Sequence, residues 1–403
     1  MRGAARSLIE YVRLPGAARA EMRRDANGLG PDDPGPEAAV AAHLEWLGLA
    51  QDESATADGG VARHFSLLDG WGASYPETTG YIVPTLLQCA RQFGDDAAEA
   101  RAARMLDWLM AIQLPNGAFQ GGMVNETPVV PVTFNTGQIL LGLAAGAEHF
   151  GTPALRESMG RAAEWLARTQ DADGAWRSAP SPFAGRGDKT YDTHVAWGLL
   201  EAARVADEPR WADAARANID WALTFQRDNG WFASCCLTDP ARPLTHTVGY
   251  VLRGVLEGYR HGEDPEYLAA ARRTADALLG ARRDDGALPG RLDETWTAAV
   301  PWTCLTGNVQ ISAVWLELAR ITGERAYLDA ARGANRMVRR TLRIDAPDGV
   351  AGGVKGSFPV DGEYGRFQFL NWAAKFAIDA YLAELAADGG AGDRADDRTA
   401  EGS

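Results

Sequence analysis

The chain has 403 residues, 46% of them hydrophobic and 23% charged, with a formal net charge of -14. This composition supplies a large apolar core, and the acidic balance excludes nucleic acid as a partner, because phosphate binding needs a basic face. No run of 18 apolar residues occurs, so no integral membrane contact is expected. The four cysteines (Cys89, Cys235, Cys236, Cys304) form neither a zinc-ligand spacing nor a disulfide framework.

Residues 1–36 read as an N-terminal arm and linker. Residues 1–24 carry six arginines against two acids but no continuous apolar stretch, so they are not a secretory signal. A loosely attached arm and a cytoplasmic protein with reduced thiols are the expectation. The prolines and glycines of 28–36 cannot propagate a helix. Val40, Leu44, Leu47 and Leu49 then recur at helical spacing, which predicts a helix over 37–50.

A repeat follows. Turn glycines stand at Gly117, Gly174, Gly230 and Gly286, separated by 57, 56 and 56 residues, with Gly349 63 further on. Each follows Asn or Asp, which tolerates positive φ as glycine does. Glutamine precedes three of these turns and an aromatic follows: Gln113 with Phe119, Gln170 with Trp176, Gln226 with Trp231. Helices with one polar face are predicted before the turns, over 97–112, 153–169, 209–225, 265–281 and 325–342. Helices rich in apolar and small residues are predicted after them, over 79–91, 136–149, 193–206, 247–259, 306–321 and 371–387, each opening on Thr or Asn as an N-cap.

Helices apolar nearly all round belong inside and helices with one polar face outside. The chain is therefore predicted to be an all-α (α/α)6 toroid over 37–387, six helical hairpins forming inner and outer rings, with 37–50 as the closing outer helix. An open solenoid is the alternative. The Gly-, Asp- and Arg-rich residues 388–403 read as a disordered tail.

In such a ring the inner helices run parallel, so their N-termini and the loops after the turns surround one end of the cavity. That end carries free N–H groups and partial positive charge and suits anionic or hydroxyl-rich ligands. Glu77, Asp192, His194 and His246 fall on this rim as candidate catalytic residues. Tyr81, Asn135, Gln138, Tyr250, Trp302, Asn308, Asn371 and Lys375 fall there as candidate substrate contacts. Loop residues add Trp296, Arg186 and the pair Lys355 and Arg366, which could hold a carboxylate or phosphate. Aromatic faces mixed with amides and acids suit a sugar, the faces covering C–H surfaces and the polar groups taking hydroxyls. His194 and His246 stand at equivalent positions of adjacent repeats, and Asp192 precedes His194 by two; an imidazole beside a carboxylate is the usual acid–base device near neutral pH. A Glu77/Asp192 carboxylate pair would instead fit glycoside hydrolysis. The competing reading makes Trp176 and Trp231 packing residues of the joints and Asn135 a cap.

The joints Gln113-Leu-Pro-Asn-Gly-Ala-Phe119 and Gln170-Asp-Ala-Asp-Gly-Ala-Trp176 resemble the glutamine–tryptophan repeats of squalene cyclases and protein prenyltransferases. The segments Tyr75-Pro-Glu-Thr-Thr-Gly-Tyr81, Leu305-Thr-Gly-Asn308 and Asn371-Trp-Ala-Ala-Lys-Phe376 resemble six-hairpin toroid proteins of bacterial exopolysaccharide loci, the VpsJ-like group. The chain departs from type II terpene cyclases in lacking Asp-x-Asp-Asp, and from prenyltransferases in lacking their zinc set. The resemblance and the rim residues together lead to the expectation of an enzyme of surface-polysaccharide biosynthesis acting on a sugar or oligosaccharide, acidic ones included; the cysteine spacing gives no expectation of metal, and no cofactor is expected. In that expectation His194 and His246 are acid and base, with Asp192 or Glu77 orienting them; hydrolysis, elimination and epimerisation all remain open. An isoprenoid cyclase and a non-catalytic glycan-binding subunit are the alternatives. The repeat sets no oligomeric state.

Overall fold

The spacing of the turn glycines becomes a ring of helical hairpins in the computed structural model, which describes residues 11–185 and 187–400, with side chains to residue 389. In chain order, α1 (Gly16–Ala26) precedes α2 (Pro36–Asp52), and a short hairpin of β1 (His64–Ser66) and β2 (Gly70–Trp71) leads to α3 (Pro76–Phe93). Then follow α4 (Asp96–Ile112), α5 (Thr133–Phe150), α6 (Pro153–Thr169), a 3-10 turn over Thr190–Asp192, α7 (Thr193–Ala206) and α8 (Pro209–Leu223). Next come α9 (Thr245–Gly262), α10 (Pro265–Ala281), β3 (Thr303–Cys304), α11 (Leu305–Thr322) and α12 (Arg325–Arg339). β4 (Ser357–Phe358), β5 (Gln368–Leu370) and α13 (Asn371–Ala400) complete the chain.

The odd-numbered helices from α3 to α13 form the inner ring, each packed on the next, and α13 returns against α3. The even-numbered helices form the outer ring, with α2 closing it against α13. This is the (α/α)6 toroid. The ends of the chain are stitched together by β1, which pairs antiparallel with both β2 and β5 and sets His64 opposite Leu370. Among the described residues no helix is long and apolar enough to cross a membrane.

Two features of the repeat explain the small residues of the inner helices and the fixed turn chemistry. Inner helices touch backbone to backbone: a Cβ on Gly142 would stand 2.2 Å from Gly80 O, and one on Gly198 2.3 Å from Gly137 O. At the turns, Gly174 has φ +92°, and a Cβ there would stand 2.3 Å from Ala217 O on α8. Gln170 Nε2 donates to Gly174 O (2.9 Å) and to Ala214 O (2.8 Å), so the glutamine ties its own turn to the next outer helix. Gln113 does the same with Gly117 O and Ser158 O. Trp176 donates to Leu166 O and packs the joint.

Three expectations are corrected. Helices α3 and α5 begin three residues earlier than read and α9 two, so Thr79, Thr136 and Thr247 are first-turn residues, not N-caps, while α7 and α13 begin at Thr193 and Asn371 as read. Thr79 and Thr136 donate back to Tyr75 O and Val132 O, and accept from the backbone N–H of Val61 and Phe119, fixing the loops that enter the site. Second, the arm is docked, not loose. Glu21 and Asp25 of α1 are buried against Lys355, with Glu21 2.6 Å from its Nζ, and Asp25 also accepts from Val360 N at 2.8 Å. A buried ammonium needs such partners, and the arm supplies them. Third, α13 runs to Ala400, past residue 388 where a disordered tail was expected; side chains beyond 389, like residues 1–10 and Arg186, lie outside the described residues.

Candidate functional site

A cavity of about 390 Å³ opens among the N-terminal ends of the inner helices. Glu77 enters it from the first turn of α3, Asn135 from α5 and His246 from α9, with Tyr81 and Tyr250 a turn deeper. The loops before α3, α7 and α13 add Tyr75, Arg63, Tyr191 and Tyr364, and α13 adds Trp372. Phe134 meets Tyr250 and Tyr191 edge-on at 5.1 and 5.3 Å, which walls the cavity with aromatic rings.

The electrostatics of this cavity separate an acid from a base. Burial pushes the Glu77 carboxyl up to about 7, against the opposing pull of the Tyr75 hydroxyl, which donates to its Oε2 at 2.9 Å, and of Arg63. Burial pushes His246 down to about 4, with Gln310 opposing. Gln310 Oε1 can only accept, so the 2.7 Å contact to His246 Nδ1 places the imidazole proton on Nδ1 and leaves Nε2 with its lone pair. Near neutral pH the cavity therefore holds a carboxyl able to give a proton and an imidazole able to take one. Burial holds the phenols of Tyr75, Tyr81, Tyr250 and Tyr364 well above their ordinary range, so all are hydroxyl donors. Tyr81 Oη stands beside Tyr250 but makes no hydrogen bond of ordinary geometry, and Asn135 Nδ2 is likewise buried without a partner among the described residues.

Of the residues read from the sequence, Glu77, Tyr81, Asn135, His246 and Tyr250 meet in this cavity. His194 does not line it. Its Nδ1 donates to Gln138 Oε1 at 2.6 Å, its ring packs on Tyr250 (4.5 Å) and Trp197 (5.0 Å), and its Nε2 is sealed from solvent without a partner. Gln138 is thus a partner of His194, not a cavity contact. Asp192 is buried outside the lining, its carboxyl pushed up to about 8 by burial. Asn308 accepts from Leu288 N and donates to Ala334 O, and Asn371 donates to Ala62 O and Thr78 Oγ1; both are tied into the scaffold. Trp302 packs with Leu244 and Cys304, and Trp296 lies on an outer loop against Trp231. Arg366 is exposed over Phe367, away from Lys355 in its buried cluster. Arg63, Phe134 and Glu126 line the cavity and were not anticipated.

Lys375 belongs to the other face. It is buried with Asp379, its Nζ lies 5.4 Å from the centre of the Tyr81 ring, and it lines a larger chamber of about 1130 Å³ among the C-terminal ends of the inner helices. The two cavities share no lining residue. The larger one is walled by ion pairs such as Arg204–Glu148 and Arg253–Glu257, which balance the carbonyl ends of the helices. Beside it Glu201, Glu257 and His261 have metal-type spacing, but Arg204, Arg253 and Arg260 already occupy the two carboxylates.

Comparison with known proteins agrees with the ring. The model of the squalene-hopene cyclase C-terminal domain matches residues 71–254, less than half of the chain. A search of curated proteins finds no match. Among solved structures, the chain is similar to an unsaturated glucuronyl hydrolase specific for heparin (TM-score 0.70, 15% identity, 88% of this chain and 98% of that one). It is similar to cellobiose 2-epimerase from Bacillus thermoamylovorans B4167 (TM-score 0.66, 11% identity, 90% and 98%) and to a D-mannose isomerase (TM-score 0.67, 12% identity, 87% and 97%). At these identities the likeness is one of fold, shared with toroid enzymes named for their action on carbohydrates.

Proposed function

We propose that the chain is an enzyme acting on a sugar or oligosaccharide by acid–base chemistry, with Glu77 as the acid and His246 as the base. The observation that carries this reading is the pairing, in one aromatic-walled cavity, of a carboxyl whose titration burial raises to about 7 with an imidazole that presents a bare Nε2. Glu77 would give its proton to an oxygen of the substrate while His246 Nε2 takes one from water or from carbon. Asn135 Nδ2 and Tyr81 Oη, both sealed and without a partner among the described residues, would take substrate hydroxyls on turning toward the cavity that their residues line, and Trp372 and Phe134 offer flat faces to C–H surfaces. The similar solved structures named for sugar hydrolysis, epimerisation and isomerisation support the substrate class.

A second reading is supported by the same aromatic wall and the partial match to a cyclase domain: a protonated Glu77 could start cyclisation of an apolar substrate. Arg63, Glu126 and His246 in the lining favour the wetter chemistry. The test is turnover of neutral and acidic oligosaccharides and of short isoprenoids by the full chain and by Glu77→Gln and His246→Asn. Loss of sugar turnover by about 10²–10⁴-fold in both folded variants is expected. Isoprenoid turnover, or sugar turnover unchanged in either variant, would sink the reading.

A further inference from the structure

Among the described residues, Arg63 is the unpaired cation of the cavity. The β1–β5 pairing places it beside Gln368, and its guanidinium carbon lies 5.1 Å from the centre of the Trp372 ring and 5.8 Å from that of Tyr75. Both of its hydrogen bonds leave from Nη1, to His64 Nδ1 (3.1 Å) and Gln368 Oε1 (3.3 Å), and both acceptors are neutral groups. Nε and Nη2 make no hydrogen bond among the described residues and are not sealed in the protein, so the edge of the fork that grips a carboxylate bidentately is open. No carboxylate lies within 4 Å of Arg63 among the described residues; Glu77 and Glu126 line the same cavity beyond that reach. A guanidinium in a part-buried site with two stacked aromatic faces and a free fork is short of one anion.

The shape of the cavity fixes how that anion arrives. It is closed inward, because Tyr81 on its floor is backed by Lys375, which belongs to the opposite chamber. A chain cannot thread through the ring here, which favours a substrate that presents its end. We propose that Arg63 is a specificity-determining residue that binds the carboxylate of a terminal acidic sugar through Nε and Nη2, so that the substrate is a glycan ending in a uronic-acid-type ring. This rests on the sugar reading of the same cavity. A carboxylate paired with Arg63 also offsets the cation that pulls the Glu77 carboxyl down, which favours retention of the Glu77 proton.

The experiment is calorimetric titration of the full chain with uronyl disaccharides (glucuronyl and galacturonyl, α- and β-linked) and with their neutral counterparts, at low and moderate salt. At least one uronyl disaccharide is expected to bind 10–100-fold tighter than its neutral counterpart, the range for a charge-assisted contact. In Arg63→Gln that preference falls to nothing, and in Arg63→Lys it is reduced, because the charge stays and the fork is lost. Neutral disaccharides binding as well as uronyl ones to the unaltered chain would overturn the role of Arg63 and leave the sugar reading standing, as would a uronyl preference that survives Arg63→Gln. Binding of no disaccharide at millimolar concentration would overturn both. The comparison in the unaltered chain decides the matter even if a variant fails to fold.

Discussion

Replacing Glu77 by Gln should stabilise the protein above neutral pH, and this can be measured without knowing the substrate. Below pH 4.5 the carboxyl is protonated whether the chain is folded or not, so its burial costs nothing extra. As pH rises from 4.5 to about 7 the unfolded chain gives up this proton and the folded one keeps it, so stability falls through that window and the loss is complete above it. A rise from 4.5 to about 7 corresponds to about 3 kcal/mol. Gln keeps the shape, accepts from the Tyr75 hydroxyl as Glu77 does, and cannot ionise. With an unfolding entropy of roughly 0.8 kcal/mol per degree for a chain of 403 residues, the variant should melt about 4 °C above the parent at pH 8. At pH 4.5 the two should melt together. Calorimetric scans at half-unit steps of pH test this. Parallel curves for parent and variant from pH 4.5 to 8.5 would mean that Glu77 is already ionised in the fold, and its role as an acid near neutrality would fall.

Gln310→Glu should raise the His246 pKa from about 4, because a carboxylate beside Nδ1 stabilises the imidazolium; NMR titration of the ring should find it cationic at pH 6, and an unmoved titration would refute the tautomer assignment. Lys355→Met leaves Asp25 buried without its cation and Glu21 dependent on Arg343, and should cost about 3–5 kcal/mol in urea unfolding, with faster proteolysis of the arm. A stable Lys355→Met with a protected arm would show that the arm is held by other contacts. Gly174→Val should cost at least about 2 kcal/mol, since it forces a β-branched residue to φ +92° and drives Cβ onto Ala217 O. A neutral effect there would mean that the joint yields and is not the rigid element of the repeat.

The ring itself was legible because its cause is local and repeated. Gln170, Gly174 and Trp176 each act within one joint, and the same joint recurs at a constant interval, so spacing alone counts the hairpins and sorts inner from outer helices. Half of the cavity was legible for the same reason: Glu77, Asn135 and His246 sit near the starts of inner helices, and parallel inner helices must bring those starts together. His194 shows the limit. It stands one residue after Thr193 as Gly80 and Gly137 follow Thr79 and Thr136, so a departure from the repeat is visible, yet a shift of a side chain by part of a turn decides whether it faces the cavity or Gln138. Arg63 lay beyond any pattern, because its place depends on β1 meeting β5 some 300 residues away. The sequence by itself determined the hairpins, their number and the end of the ring where the N-termini of the inner helices gather, since these follow from helical period and turn chemistry. Only the tertiary structure decided which carboxyl is raised toward neutrality, which imidazole keeps a free nitrogen and which cation lacks a partner among the described residues, because burial and hydrogen-bond partners are set where separate helices and loops meet as the ring closes.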